Sequence, residues 1–149
     1  MVKIFHHFII KAPIAKVYDS VSTINGLKNW WTTDTTGTTE KGGEIRFGFG
    51  KDYDLMKVTV KETSKLVGWE VIESSFPDGI QWVGTNISFS LSEDANKNTV
   101  VKFQHSNWKE ATDFYGGCNF HWGIFMVSLK SLCETGKGNP QEVQSADNR

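Results

Sequence analysis

The sequence has few of the features by which a chain spans a membrane or binds a metal ion. Its first residues, MVKIFHHFIIKAP, are apolar over far fewer than the about 20 residues that a membrane-spanning helix needs. They also lack the charged start and small-residue cleavage site of a secretory signal. Only two cysteines are present, and no CxxC or HxxxH spacing occurs. We therefore expect a cytoplasmic protein with no membrane span, no cofactor and no metal site.

An excess of positive charge is also absent. The 16 lysines and arginines are offset by 17 acidic residues, and the two signs are interspersed along the chain. Binding to a phosphate backbone needs a basic stripe, so we expect no nucleic-acid partner. At 149 residues, of which 38% are hydrophobic, the chain is the size of one domain with a real core.

The first third of the sequence predicts a strand, two short helices and a loop. Residues 2–11 are rich in strand-forming side chains, and Pro13 ends that run. Apolar residues then recur every three or four positions over 14–24, which predicts an amphipathic helix. A second short helix is expected around residues 27–31, and the threonine- and glycine-rich residues 32–43 are predicted to form a loop.

From Gly43 onward the apolar period changes to two, which is typical of half-buried strands. Turn signals, among them Pro77-Asp78-Gly79, separate the runs. Five consecutive strands are predicted, which implies an antiparallel meander; their apolar positions lie within residues 43–49, 56–61, 67–71, 83–91 and 101–105.

After Trp108 the period becomes helical again. Cys118, Trp122, Phe125 and Leu129 fall on one face of a helix that Gly136 ends. The predicted order is β-α-α-β-β-β-β-β-α, an α+β fold in which a curved antiparallel six-stranded sheet wraps around one long C-terminal helix. The domain is predicted to span residues 1–136, and the polar residues 137–149 are predicted to form a disordered tail.

Several segments resemble the START-like superfamily, also called SRPBCC, whose members have the helix-grip fold. They are APIAKVYDSVSTINGLKNWW, GGEIRFGFG, KETSKLVGWEVIE and TVVKFQHSNW, together with the aromatic C-terminal helix. Within that superfamily the chain is most similar to the branch named after the activator of the heat-shock-protein-90 ATPase. Relatives on this scaffold bind lipids, hormones or polyketides, act as cyclases or dehydratases, or contact a chaperone, so the resemblance alone does not choose an activity.

The residues themselves point to an aromatic cavity. A curved sheet that grips one helix tends to leave a gap, and rigid rings can line such a gap without collapsing into it. More rings lie on or beside the predicted inward faces than sheet-helix packing needs, although any one of them could simply fill the core. The predicted ligand-binding residues are Trp30, Trp31, Phe47, Phe49, Trp69, Phe89, Phe103, His105, Cys118, His121, Trp122 and Phe125.

Two histidines could orient a ligand in that cavity or act as an acid or base. His105 is in phase with Phe103 on the last strand, and His121 is next to Trp122 on the helix. Each could equally be a structural histidine with satisfied hydrogen bonds. Because no converging polar cluster is visible, no catalytic residue is predicted.

Cys118 and His121 are three residues apart on the predicted helix, a spacing that suits a thiolate pair or two metal ligands. No third ligand is evident, so we interpret Cys118 as a core residue. Cys133 lies near the other end of the same helix, roughly 22 Å away at 1.5 Å per residue, so the two thiols cannot form a disulfide.

The sequence therefore predicts a domain that binds an apolar, aromatic or lipid-like small molecule. One alternative is a cyclase, dehydratase or hydrolase that uses His105 or His121, assisted by Tyr115 or Asp113. Another is an interaction domain that stimulates a chaperone ATPase, which only the family resemblance suggests. A homodimer remains possible, since nothing in the sequence marks or excludes an interface.

Overall fold

The computed structural model describes residues 2–143, which form an α+β fold as predicted. The elements, in chain order, are β1 (Val2–Ile10), α1 (Ile14–Ser22), α2 (Ile24–Trp30), β2 (Asp34–Gly37), β3 (Glu44–Phe49), β4 (Asp52–Glu62), β5 (Leu66–Ser74), a 3₁₀ turn (Gly79–Gln81), β6 (Asn86–Glu93), β7 (Thr99–Trp108) and α3 (Asp113–Thr135).

All described strands belong to one curved antiparallel sheet in the order β1-β7-β6-β5-β4-β3-β2. The chain therefore runs as a meander from β2 to β7, and β1 closes onto the far side of β7. The sheet has seven strands, one more than predicted. The additional strand, β2, lies within the segment predicted as a loop, where Thr35 pairs with Phe47 of β3. A four-residue strand has no visible period, so only pairing with its neighbour defines it.

The core lies on the inner face of the sheet, where the period-two residues of each strand point. Ile45 and Phe47 of β3, Met56 and Val58 of β4 and Trp69 of β5 are all at most 1% exposed. This alternation fixes the register, because a slip by one residue would move every one of these side chains to solvent.

Helix α3 packs against this inner face, and its ends are defined by its caps. The hydroxyl of Thr112 accepts a hydrogen bond from the Tyr115 amide at the N-terminus, and Gly136 closes the C-terminus in the left-handed conformation. The helix therefore begins five residues before Cys118, where the predicted apolar face began. Among residues 2–143 no helix combines the length and apolar character needed to cross a bilayer.

Helix α3 also covers the free edge of β1. The Tyr115 hydroxyl donates to the carbonyl of Lys3 at 2.8 Å, and Lys130 Nζ donates to the carbonyl of Ile9 at 2.8 Å. Glu134 accepts a hydrogen bond from the amide of Lys11 at 2.7 Å. These contacts satisfy backbone groups that an edge strand would otherwise leave unpaired.

Residues after Gly136, which were predicted to belong to a disordered tail, return to the body of the domain. The amide of Gln141 donates to the Trp31 carbonyl at 2.7 Å, and its carbonyl accepts from the Thr33 amide at 3.0 Å. The amide of Asn139 donates to Ser128 Oγ at 2.7 Å. Residues 144–149 of the predicted tail lie outside the described residues.

Candidate functional site

A partly open cavity of about 440 Å³ lies between α3, the 3₁₀ turn and the β3–β5 half of the sheet. This volume is within the range of small-molecule sites. Most of its wall is aromatic; the lining residues are Trp31, Phe49, Asp54, Ser74, Phe76, Trp82, Phe114, Cys118, His121, Trp122, Phe125 and Gln141.

Six of the twelve predicted site residues line this cavity: Trp31, Phe49, Cys118, His121, Trp122 and Phe125. The other six lie behind the wall and fill the core instead: Trp30, Phe47, Trp69, Phe89, Phe103 and His105, each at most 1% exposed. The aromatic surplus thus divides into two layers. Sequence periodicity assigns residues to the inner face but does not distinguish its depth, so it could not separate the layers.

Trp31 forms the boundary between the two layers. Its ring centroid lies 4.2 Å from that of Phe47 and 6.1 Å from that of Trp69, both in the core layer. On the cavity side it lies 4.9 Å from Trp122 and 6.4 Å from Phe125. Aromatic pairs favour tilted and offset arrangements of this kind, and through them the cavity floor packs directly on the core.

His105 is a buried structural residue rather than a cavity group. Trp122 Nε1 donates to its Nδ1 at 3.1 Å, which leaves Nε2 to donate to Thr85 Oγ1 at 2.7 Å. Thr85 in turn donates to the carbonyl of Trp82 at 2.5 Å. Burial lowers the pKa of His105 to about 3, so the imidazole is neutral at physiological pH. Its two nitrogens are both occupied, and it has no free position for proton transfer.

The other groups named in the enzyme hypothesis are dispersed. His121 lines the cavity, and its Nδ1 is 2.9 Å from the carbonyl of Gly117, within its own helix. The Tyr115 hydroxyl is bound to β1, and Asp113 occupies the first turn of α3. Neither of these two lines the cavity, so the set does not converge on one point.

Cys118 lines the cavity as a protonated thiol. Burial raises its pKa to about 11, and the hydrogen bond that its sulfur accepts from Trp82 Nε1, at 3.3 Å, offsets this only in part. Cys133 is a second free thiol, buried at the other end of α3. Within residues 2–143 no three His, Cys, Asp or Glu side chains are grouped to hold a metal ion.

The polar end of the cavity is formed by Asp54 and Ser74, which sequence analysis did not single out. They face each other across β4 and β5. Asp54 is only 2% exposed, yet its Oδ1 has no hydrogen-bond partner among the described residues, and neither has Ser74 Oγ. Burial raises the pKa of Asp54 to about 6. The Ser74 hydroxyl lies close enough to the carboxyl to counter this in part, although no hydrogen bond of regular geometry joins it to Oδ1, and nearby Asp52 raises the pKa further.

One of these two residues carried a sequence signal. Asp54 is in phase with the buried Met56 and Val58, and an acidic side chain at an inward position of a strand is unusual. Ser74 gave no such signal, because the register shift opposite Leu55 and Met56 changes which face it occupies. The wall also includes Phe76 and Trp82 from turns, Phe114 from the first turn of α3, and Gln141 from the segment after α3 that pairs with Thr32. None of these positions lies in a periodic run.

Comparison with known proteins identifies relatives of this chain. The family model described as activator of Hsp90 ATPase homolog 1-like protein matches residues 11–134. The solution structure of the Aha1 dimer from Colwellia psychrerythraea is similar, with 42% sequence identity and a TM-score of 0.82, covering 93% of this chain and 100% of that one. No curated protein sequence matches the chain.

More distant structures share the fold alone. Protein SSP2350 from Staphylococcus saprophyticus has a TM-score of 0.76 at 14% identity, covering 95% of this chain and 98% of that one. CalU16 from Micromonospora echinospora has a TM-score of 0.72 at 16% identity, covering 93% and 78%. The model match and the Colwellia relative agree over nearly all of the described residues, so the chain belongs to the activator of Hsp90 ATPase homolog 1-like family, within the START-like superfamily.

Proposed function

We propose that the protein binds an apolar or aromatic small molecule in the cavity beneath α3. The observation that carries this proposal is a ring-lined space of about 440 Å³ that the core side chains do not fill. Filling such a space removes apolar surface from water, at roughly 25 cal/mol for each Å² buried. Trp31 and Trp122 are part of the wall, so a bound ligand would alter tryptophan fluorescence.

The experiment is a titration of the purified protein with neutral aromatic compounds, such as naphthalenemethanol, followed by tryptophan fluorescence and thermal stability. We expect saturable binding with a raised melting temperature. Phe125→Ser removes a cavity ring and should weaken binding by about tenfold, the equivalent of 1.4 kcal/mol. Phe5→Ser is the matched control, since Phe5 is 50% exposed on β1 and does not line the cavity.

Equal binding to the Phe125 and Phe5 variants would place the ligand elsewhere, and no saturable binding to any apolar compound would refute the proposal. Mass spectrometry of the protein purified under non-denaturing conditions provides a second readout, because a ligand from the cells would add a discrete mass.

We also infer a cytoplasmic location, because both cysteines are free thiols.

A second candidate function is stimulation of a chaperone ATPase, which the family description favours. The test is the ATP hydrolysis rate of heat-shock protein 90 with and without this protein. A concentration-dependent rise in the rate would support this candidate. An unchanged rate, with no binding detectable by calorimetry at concentrations of tens of micromolar, would exclude it.

We further propose that two copies of the chain associate through the outer face of α3. Phe120, Ile124 and Val127 form one stripe there, and they are 68%, 45% and 67% exposed. Residues 114–129 contain no Asp, Glu, Lys or Arg. An uncharged apolar helix face of this kind is typical of an interface, and the 42% identical Colwellia relative is described as a dimer.

Sedimentation analysis tests this association. The wild type should sediment as a dimer, and Phe120→Lys combined with Val127→Lys should give a folded monomer. Ile80→Lys is the control, because Ile80 is 79% exposed but lies in the 3₁₀ turn and outside the stripe on α3. A wild type that remains monomeric at high concentration, or a lysine variant that remains dimeric, would contradict the proposed interface.

A further inference from the structure

Apart from the imidazole of His121, the ionisable side chains on the cavity wall that could be charged are acidic. Seven aromatic side chains line the cavity, and Asp54 is the one acidic side chain among the described lining residues. No Lys or Arg occurs among the lining residues that the structure describes. The faces of aromatic rings carry partial negative charge, so both the rings and the carboxylate attract a cation and repel an anion.

Asp54 itself lacks the partner that its position requires. It is 2% exposed, it lines the cavity, and its Oδ1 accepts no hydrogen bond from the described residues. A buried carboxyl oxygen without a donor is costly, and native structures nearly always supply one. The neighbouring Ser74 Oγ is also without a partner, which leaves two oxygens on adjacent strands available to one ligand group.

On the basis of the ligand cavity proposed above, we propose that the ligand is a hydrophobic or aromatic amine. The protonated amine donates hydrogen bonds to Asp54 Oδ1 and to Ser74 Oγ, and the apolar part of the ligand packs against the cavity rings. This assignment excludes fatty acids and other carboxylates as preferred ligands, because their charge would lie beside that of Asp54.

The titration behaviour of the site agrees with this geometry. Burial raises the pKa of Asp54 to about 6, with Asp52 of the same strand raising it further and Ser74 lowering it. The other titratable groups on this side are Cys118 and His121 of α3 and Asp78 before the 3₁₀ turn. A bound ammonium would stabilise the ionised carboxylate, so amine binding should weaken as the pH falls below 6.

The test uses three probes with the same ring system: naphthalenemethylamine, naphthalenemethanol and naphthoic acid, titrated by calorimetry at pH 7.5. We expect the amine to bind at least tenfold more tightly than the alcohol, and the acid to bind most weakly. Asp54→Asn should abolish the preference for the amine while retaining affinity for the alcohol. Asp52→Asn is the matched control, because it removes the same charge on the same strand from a residue that does not line the cavity.

The outcomes separate this inference from the proposed function. Equal affinity for the three probes, or an amine preference that survives Asp54→Asn, would overturn the amine assignment and leave the apolar cavity standing. Failure of all three probes to bind the wild type would remove the cavity function itself. Thermal denaturation establishes that the Asn variant is folded, and Ser74→Ala, which should weaken amine binding alone, provides an independent variant.

Discussion

Trp122 of α3 donates a hydrogen bond of 3.1 Å from its indole nitrogen to Nδ1 of His105 on β7, and both side chains are at most 2% exposed. This bond fixes the tautomer of His105, since the accepting nitrogen carries no proton. It also joins the helix to the sheet at the base of the cavity. The core and the candidate site are therefore joined by a polar contact as well as by ring packing.

Replacing His105 by phenylalanine should destabilise the protein by about 1–3 kcal/mol, because the buried Trp122 donor then loses its acceptor. Urea unfolding measures the change in the free energy of unfolding. The double variant His105→Phe with Trp122→Phe should be less destabilised than the sum of the single variants, since no donor is left unpaired. His7→Phe, at an exposed position of β1, is the control, and strict additivity would contradict the prediction.

The pH dependence of stability should reveal the depressed pKa of His105. Its pKa is lowered from 6.5 to about 3 by burial, so between these values the unfolded chain binds a proton that the native chain does not. Stability should accordingly fall as the pH drops from 6.5, by up to roughly 3 kcal/mol at pH 4. The difference in unfolding free energy between wild type and His105→Gln, measured from pH 7 to 4, should narrow; a constant difference would argue against a buried neutral imidazole.

Asp54 should contribute to the pH dependence with the opposite sign. Its pKa is raised from 3.8 to about 6, so between these values the native chain holds the extra proton. Stability is lost as the pH rises through this window, by up to roughly 3 kcal/mol. Asp54→Asn should therefore become more stable relative to wild type as the pH increases from 4 to 7, and urea unfolding across that range measures it. If the stability of Asp54→Asn relative to wild type fell instead over this pH range, the carboxylate would have a favourable partner.

Cys118 should react slowly with iodoacetamide at pH 7.5, because burial raises its pKa to about 11 and the thiolate is the nucleophile. The rate should continue to rise with pH up to at least pH 9. Peptide mass spectrometry follows Cys118 and Cys133 separately, and Cys133 is the internal control because it is only 1% exposed. Rapid modification of Cys118 at neutral pH would contradict the protonated state.

A chain ending at residue 136 should be less stable than one ending at residue 143. The shorter chain loses the two backbone hydrogen bonds of Gln141 and the bond from the Asn139 amide to Ser128. Leaving the Ser128 hydroxyl and the Trp31 carbonyl without these partners should lower the free energy of unfolding by about 1–3 kcal/mol. Thermal unfolding of the two chains measures the difference, and equal stability would show that residues 137–143 contribute nothing.

Much of the fold could be predicted because its elements are long and periodic. The period-two runs of β3 to β7 and the apolar face of α3 are strong signals, and the caps at Pro13 and Gly136 limit the helices. β2 could not be predicted, because it is short and exists through its pairing with β3. The first turn of α3 was missed because Gly116 and Gly117 are weak helix formers. The Thr112 cap and the packing of Phe114 and Tyr115 against Trp108 hold this turn instead.

The sequence by itself determined that alternate rings and aliphatic side chains face inward, because strand and helix periods place residues on faces without reference to any other element. Only the tertiary structure decided which rings fill the core and which border an open space, since depth depends on how far the helix stands from the sheet. It also placed Ser74 beside Asp54 and His105 between Trp122 and Thr85. These neighbours come from distant parts of the chain, so their proximity arises from sheet register and helix docking, which no local pattern encodes.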